Sequence, residues 1–81
     1  MTVFEVSNET LKEFYLCASP ATLSELIREQ CDRPPAAIAH WQKGNHIFYT
    51  EIESFADLKN AQGFMGKYAG VIAGTGWKVL R

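Results

Sequence analysis

Four side chains in this chain could ligate a metal or exchange a proton near neutral pH: Cys17, Cys31, His40 and His46. As an inventory they make a Cys₂His₂ set, but structural zinc sites draw their ligands as close pairs such as C-x₂₋₄-C. Here the cysteines stand fourteen positions apart on separate segments, so no metal site is expected. Cys17 with His40 could form a thiolate–imidazole pair if the two came within hydrogen-bond reach, and Glu51 would add a carboxylate. Nothing in their spacing brackets such a pair, so no catalytic residue and no cofactor is assigned. The run GVIAGTG (residues 70–76) is rich in glycine, as phosphate-binding loops are. Those loops lie between a strand and the start of a helix, whereas this run falls at the end of a predicted helix, where the dipole repels anions. A helix stop is the better account of it.

Composition narrows the classes further. With 81 residues the chain makes one domain (1–81), with a small core for which oligomerisation is a plausible aid. Apolar residues make up 47% and charged residues 21%, which fits a globular chain and argues against disorder. A net charge of −1, with the basic residues scattered, lacks the clustered Lys and Arg that phosphate backbones require, so nucleic acid is not an expected partner. No basic segment followed by an apolar run opens the chain, and no apolar run is long enough for a bilayer span. A cytoplasmic location follows as the expectation, with both cysteines as free thiols.

The elements that must position these residues are read from periodicity and turn chemistry. Residues 36–53, AAIAHWQKGNHIFYTEIE, alternate on either side of Lys43-Gly44-Asn45-His46, which predicts a β-hairpin with a Gly-Asn turn, because Gly accepts the positive φ of a I′ or II′ turn. That register places Ala37, Ala39, Trp41, Phe48, Thr50 and Ile52 on one face. The other carries Ile38, His40, Gln42, Ile47, Tyr49 and Glu51. Residues 2–6 read as a short strand and residues 11–18, whose Leu11, Phe14 and Ala18 also fit one face of a helix, as a buried strand stopped by Ser19-Pro20, which in turn opens a helix with Leu23, Leu26, Ile27 and Gln30 inward. The helix stops at Asp32-Arg33-Pro34-Pro35. Ser54 is the expected cap of a second helix, whose wheel gathers Phe55, Leu58, Ala61, Gln62, Met65, Tyr68, Ala69 and Ile72 into an arc of about 140°. Gly63, Gly66, Gly70 and Gly74 flank that arc; a break at Gly63 with residues 68–73 as a strand is the alternative. Phe64 and Val71 point away from the arc. Trp77 to Leu80 reads as a last strand.

With residues 2–6 set aside, the order is strand, helix, strand, strand, helix, strand. That is the order of an α+β, ferredoxin-like βαββαβ sandwich, an antiparallel sheet with both helices on one face, carrying an extra N-terminal strand. Its open face would hold Tyr15 and Cys17 beside Ile38, His40, Ile47, Tyr49 and Glu51. A patch of that composition, mostly aromatic and aliphatic with isolated polar groups, reads as a surface covered by a second subunit. The expected interface is Tyr15, Ile38, His40, Ile47 and Tyr49, together with Phe64 and Val71. Aromatics on an open sheet also stack RNA bases, but HIFYTEIE lacks the basic and glycine positions of that motif.

The segment FYTEIESFADLKNAQGFMGKY resembles the strand-then-helix segment of the small dimeric ferredoxin-like monooxygenase families, over about a quarter of the chain. Where those families often carry a helical His, this chain has Lys59 or Asn60. The resemblance therefore implies the architecture and sheet-mediated dimers. The functional expectation is a small interaction or regulatory module, without identifiable catalysis, that binds itself as a homodimer or another protein. The alternative is a small-molecule-binding protein or enzyme with a pocket between sheet and helices, walled by Trp41, Phe48, Met65 and Tyr68.

Overall fold

The computed structural model describes residues 1–80. In chain order these form β1 (Thr2–Asn8), β2 (Glu13–Ser19), α1 (Leu23–Asp32), a 3₁₀ turn at Ala36–Ile38, β3 (Ile47–Ser54), α2 (Leu58–Ala73) and β4 (Lys78–Leu80). The four strands make one mixed sheet in the order β3-β1-β2-β4. β1 is antiparallel to both of its neighbours, whereas β2 and β4 are parallel. The fold is thus α+β with two helices, but its strand order and its parallel pair differ from the ferredoxin-like arrangement expected.

The expected hairpin over residues 36–53 does not form; only its second half is a strand. A hairpin turn of type I′ or II′ needs a glycine at positive φ, and among the described glycines only Gly76 adopts one, at 93°. The Asn45 N–H instead closes a turn onto the Gln42 carbonyl at 3.0 Å, with the Asn45 side chain accepting from the Gln42 N–H at 3.0 Å. Two long-range anchors hold the first half away from β3. The Trp41 indole donates to Glu13 Oε1 at 2.9 Å, and Ile38 is buried to 5% exposure. Burial of that size stabilises by about 1.5–3 kcal/mol, more than a short unpaired strand would gain.

β3 pairs instead with residues 2–8, the strand set aside at the sequence level, which thereby becomes the centre of the sheet. Its composition fits that place, since Val3, Phe4 and Val6 are all buried although they alternate between faces. Asn8, also buried, is satisfied at the strand's end: its amide donates to Asn45 Oδ1 at 2.9 Å and its oxygen accepts the Leu11 N–H at 3.0 Å.

Register then settles the layers. Phe4, Val6 and Asn8 share one face with Cys17, Tyr15 and Glu13 of β2 and with Glu51, Tyr49 and Ile47 of β3. Glu5 and Ser7 share the other with Leu16, Phe14, Thr50 and Phe48. α1 covers the first face, where Gln30 Nε2 donates to Cys17 Sγ at 3.8 Å. α2 covers the second, where Ala69 packs on Phe14 and Leu16, and the Tyr68 hydroxyl donates to Glu5 Oε2 at 3.3 Å. The helices therefore lie on opposite faces, not on one. β2, β3 and β4 all run parallel to one another, so α1 and α2 are both crossover helices. The first crossover travels from β2 out to β3, and the second returns from β3 to β4. Two crossovers of one hand that travel in opposite directions must use opposite faces.

Both helices start later than expected. Thr22 caps α1 in a reciprocal capping box with Glu25 (3.2 and 3.0 Å), and Asp57 caps α2 through the Asn60 N–H at 2.8 Å. Ser19 forms a local turn with the Ala21 N–H, and Ser54 pairs its hydroxyl with Thr2. α2 runs unbroken through Gly63, Gly66 and Gly70.

Candidate functional site

An apolar cleft of about 360 Å³ lies between α2 and the β2–β4 edge. Its floor is Leu16 and Val79, which face α2 from neighbouring strands, and its rim toward the sheet edge is Tyr15 and Leu80. β4 pairs with only three residues of β2, Glu13 to Tyr15. Beyond that point no strand closes the edge among the described residues, and the cleft opens there.

The other wall comes from one side of α2: Gln62, Met65, Gly66 and Ala69. Spaced at i, i+3, i+4 and i+7, these residues lie on one helical stripe. Gly66 keeps the wall low, because a Cβ there would meet nothing within 4 Å. Met65 supplies a flexible, polarisable flank. The polar side chain of the lining on the α2 side is the Gln62 amide; Tyr15 lies at the rim and alternates onto the α1 face with Cys17. Partial burial, and secondly the nearby Cys17 thiol, raise the Tyr15 phenol above its ordinary value, so it stays a neutral donor and acceptor at pH 7.

The residues expected to form one interface are dispersed. Tyr15, Ile47 and Tyr49 do share a sheet face, but α1 crosses it, with Cys31 against Tyr49. Ile38 lies off the sheet in the 3₁₀ turn, where it is part of the core. His40 is in the following loop, with its ring nitrogen Nε2 2.7 Å from Glu13 Oε1. Phe64 sits over the opposite face, stacked on Tyr68 at 5.5 Å and tilted against Phe55 at 5.2 Å. Val71 is 71% exposed on the outer side of α2. Only Tyr15 of this set reaches the cleft. Of the four walls named for a pocket between sheet and helix, only Met65 lines it; Trp41 is engaged by Glu13, Tyr68 by Glu5, and Phe48 is exposed.

Nor does the structure bring a thiol and an imidazole together. The Cys17 thiol is next to Gln30 and burial pushes it up, which disfavours the thiolate, while His40 is taken by Glu13. No three His, Cys, Asp or Glu side chains among the described residues are grouped to hold a metal ion, and none of the described helices is long and apolar enough to cross a membrane.

The Glu13 cluster escaped the sequence reading. Its carboxylate accepts from both His40 and Trp41, residues 27 and 28 positions away, and no local pattern announces a contact of that range. The cleft was half visible: the helical wheel puts Gln62, Met65 and Ala69 on one arc, but the short β4 that leaves it open has no signature. Comparison with protein-family models, with curated proteins and with solved structures finds no match for this chain.

Proposed function

We propose that this chain is a small binding module that holds an apolar group of a small-molecule ligand in the cleft between α2 and the β2–β4 edge. The observation that carries the reading is the cleft itself: about 360 Å³, walled by Leu16, Val79, Leu80, Met65 and Ala69, with the Gln62 amide to orient a polar atom. Ligand sites are commonly of this kind, apolar concavities with a few placed polar groups. Among the described residues the lining contains no carboxylate, imidazole or thiol, so these residues supply neither a nucleophile nor a strong general base. Holding is the chemistry it is equipped for. The interaction-module reading, which rests on an open sheet face, loses that surface to α1 and the loop after it, and is left with the outer edge of β3.

Gly66 provides the test. Replacing it with leucine puts a side chain into the cleft from a position where nothing stands in its way, and replaces a glycine in a helix interior with a better helix former. The fold should survive. Titration with the apolar fluorophore anilinonaphthalene sulfonate, followed by backbone amide shifts, should map to Leu16, Val79 and Met65 and weaken at least about tenfold in Gly66→Leu, a change of about 1.4 kcal/mol. Equal binding by both proteins, or shifts centred on Phe48 instead, would overturn the reading.

A further inference from the structure

We propose that two copies of this chain join edge to edge through β3, antiparallel about a two-fold axis at Tyr49, to make one continuous sheet. β3 is the outermost strand and pairs only with β1. At eight residues it is also the longer of the two edges, since β4 has three. Exposed edges of this length are normally blunted by Lys, Pro or inward charges. The sequence of β3, IFYTEIES, contains neither Lys nor Pro, and its two glutamates and the register shift fall in its second half, from Glu51 onward.

The backbone phase fixes which groups are free. The Glu9 N–H donates to the His46 carbonyl at 2.9 Å at the start of the β1–β3 ladder. Antiparallel bonds come from alternate residues, so the backbone groups of Phe48 and Thr50 point toward β1, at their partners Ser7 and Glu5. Those of Ile47, Tyr49 and Glu51 point outward. The phase changes after Glu51, where the register shifts between Val3 and Phe4, and Met1 and Phe55 exchange bonds at 2.9 and 2.7 Å beyond it. The free edge is therefore a run of three outward residues.

One register uses all three. With Tyr49 facing Tyr49 of the second copy, Ile47 faces Glu51 and Glu51 faces Ile47, so each outward N–H and C=O meets a partner. Centring the axis on Glu51 would set two carboxylates directly opposite each other, which is destabilising. Centring it on Ile47 would leave Glu51 without a strand partner. In the Tyr49 register no like charges oppose, and Phe48, 51% exposed on the α2 side of the sheet, falls opposite Thr50 of the second copy. That is a non-hydrogen-bonded position, where side chains approach most closely. α2 packs chiefly on β1, β2 and β4, and a second copy would cover the exposed half of Phe48. A two-fold register that satisfies its own charges and hydrogen bonds marks a second copy as the occupant.

The experiment is light scattering over a dilution series combined with amide hydrogen exchange. The wild-type protein should be dimeric, with the amides of Ile47, Tyr49 and Glu51 protected only at concentrations where the dimer persists. Ile47→Glu sets carboxylate against carboxylate at two symmetric positions and should raise the dissociation constant about tenfold. Adding Glu51→Lys to that variant should restore it, because the new charges then face each other across the axis; a registry shifted by even two residues would not give this rescue. Tyr49→Pro removes an outward N–H and no bond to β1, so it should give a folded monomer by circular dichroism. A wild-type monomer up to millimolar concentration, a dimer indifferent to Tyr49→Pro, or an Ile47→Glu defect that Glu51→Lys does not repair would each overturn the proposal.

Discussion

Under α2 the sheet presents Phe14, Leu16 and Val79 to Ala69, Met65 and Ile72, with a cleft left over at one side. Under α1 it presents Phe4 and Val6 with Cys17, Tyr15 and Tyr49 beside them, and the helix answers with Leu26, Gln30 and Cys31. The first layer is held by shape and apolar area; the second mixes an apolar centre with polar side chains that must find partners. The two fail differently. An apolar layer tolerates an unfilled space at its margin, because a void costs dispersion contacts but leaves no polar group stranded. Polar groups inside a layer have to be satisfied atom by atom, and under α1 one is not: Gln30 Oε1 is buried without a partner among the described residues. Spare volume thus accumulates under α2 and spare hydrogen-bonding capacity under α1.

The largest effect that would break this contrast comes from the apolar side. Phe14 is fully buried in the layer under α2, and Phe14→Ala should cost about 3–5 kcal/mol. For a domain of this size that approaches its whole stability. Urea denaturation should show either a collapsed midpoint or a chain unfolded in buffer. A loss below about 1 kcal/mol would mean that the α2 face is loosely packed throughout, not only at the cleft.

The polar side should respond in the opposite sense. Gln30→Met keeps the length of the side chain while removing the stranded oxygen, and exchanges a weak 3.8 Å contact to the Cys17 sulfur for a thioether. Leaving a buried acceptor unpaired costs about 1–3 kcal/mol. The variant should therefore gain on the order of 1 kcal/mol, or about 4–8 °C in thermal midpoint. A destabilised variant would show that the Gln30 amide contributes more through Cys17 than its unpaired oxygen costs.

How far the sequence carries toward this picture depends on the range of the interactions concerned. Both helices, with stops at Asp32 and Gly74, and strands close to residues 2–6, 11–18 and 77–80 follow from proline, glycine and apolar period, all of which act within a few residues; the caps, expected at Ser19 and Ser54, fall instead at Thr22 and Asp57. Gly44-Asn45 misled because its flanks alternate like a hairpin, whereas the competing contacts, Trp41 to Glu13 and Asn8 to Asn45, span 28 and 37 positions. Once residues 36–42 leave the sheet, residues 2–8 take over as partner of β3, and the crossover directions then divide the helices between the faces. A single misjudged turn thus changes strand order, layer assignment and the expected interface together. Of the candidate site, the α2 stripe through Met65 was legible because it is local. The cleft was not, because it depends on which residues of β2 pair with β4.

The finest distinction between the two faces lies in two carboxylates that titrate in opposite directions. Glu5, on the α2 side, is partly buried with only the Tyr68 hydroxyl for support, and burial raises it above the ordinary value of 4.5 despite that hydrogen bond. Glu13, on the α1 side, is lowered, chiefly by the hydrogen bond from His40; burial opposes this as the next largest effect, and Trp41 and the charges of His40 and Lys78 add smaller lowering contributions. The folded chain therefore holds a proton on Glu5 more tightly than the unfolded chain does. Its contribution to stability is present below the ordinary value and is lost as pH rises through the raised one. For Glu13 the folded chain releases its proton more readily, so its contribution is present above the ordinary value and is lost as pH falls through the lowered one. Urea unfolding of the wild type, Glu5→Gln and Glu13→Gln between about pH 3 and 7 isolates each contribution by difference. Relative to Glu5→Gln, the wild type should weaken as pH rises past 4.5; relative to Glu13→Gln, it should weaken as pH falls below 4.5. Parallel slopes would place both carboxylates in equivalent surroundings and remove the electrostatic half of the contrast, leaving the two faces distinguished by packing alone.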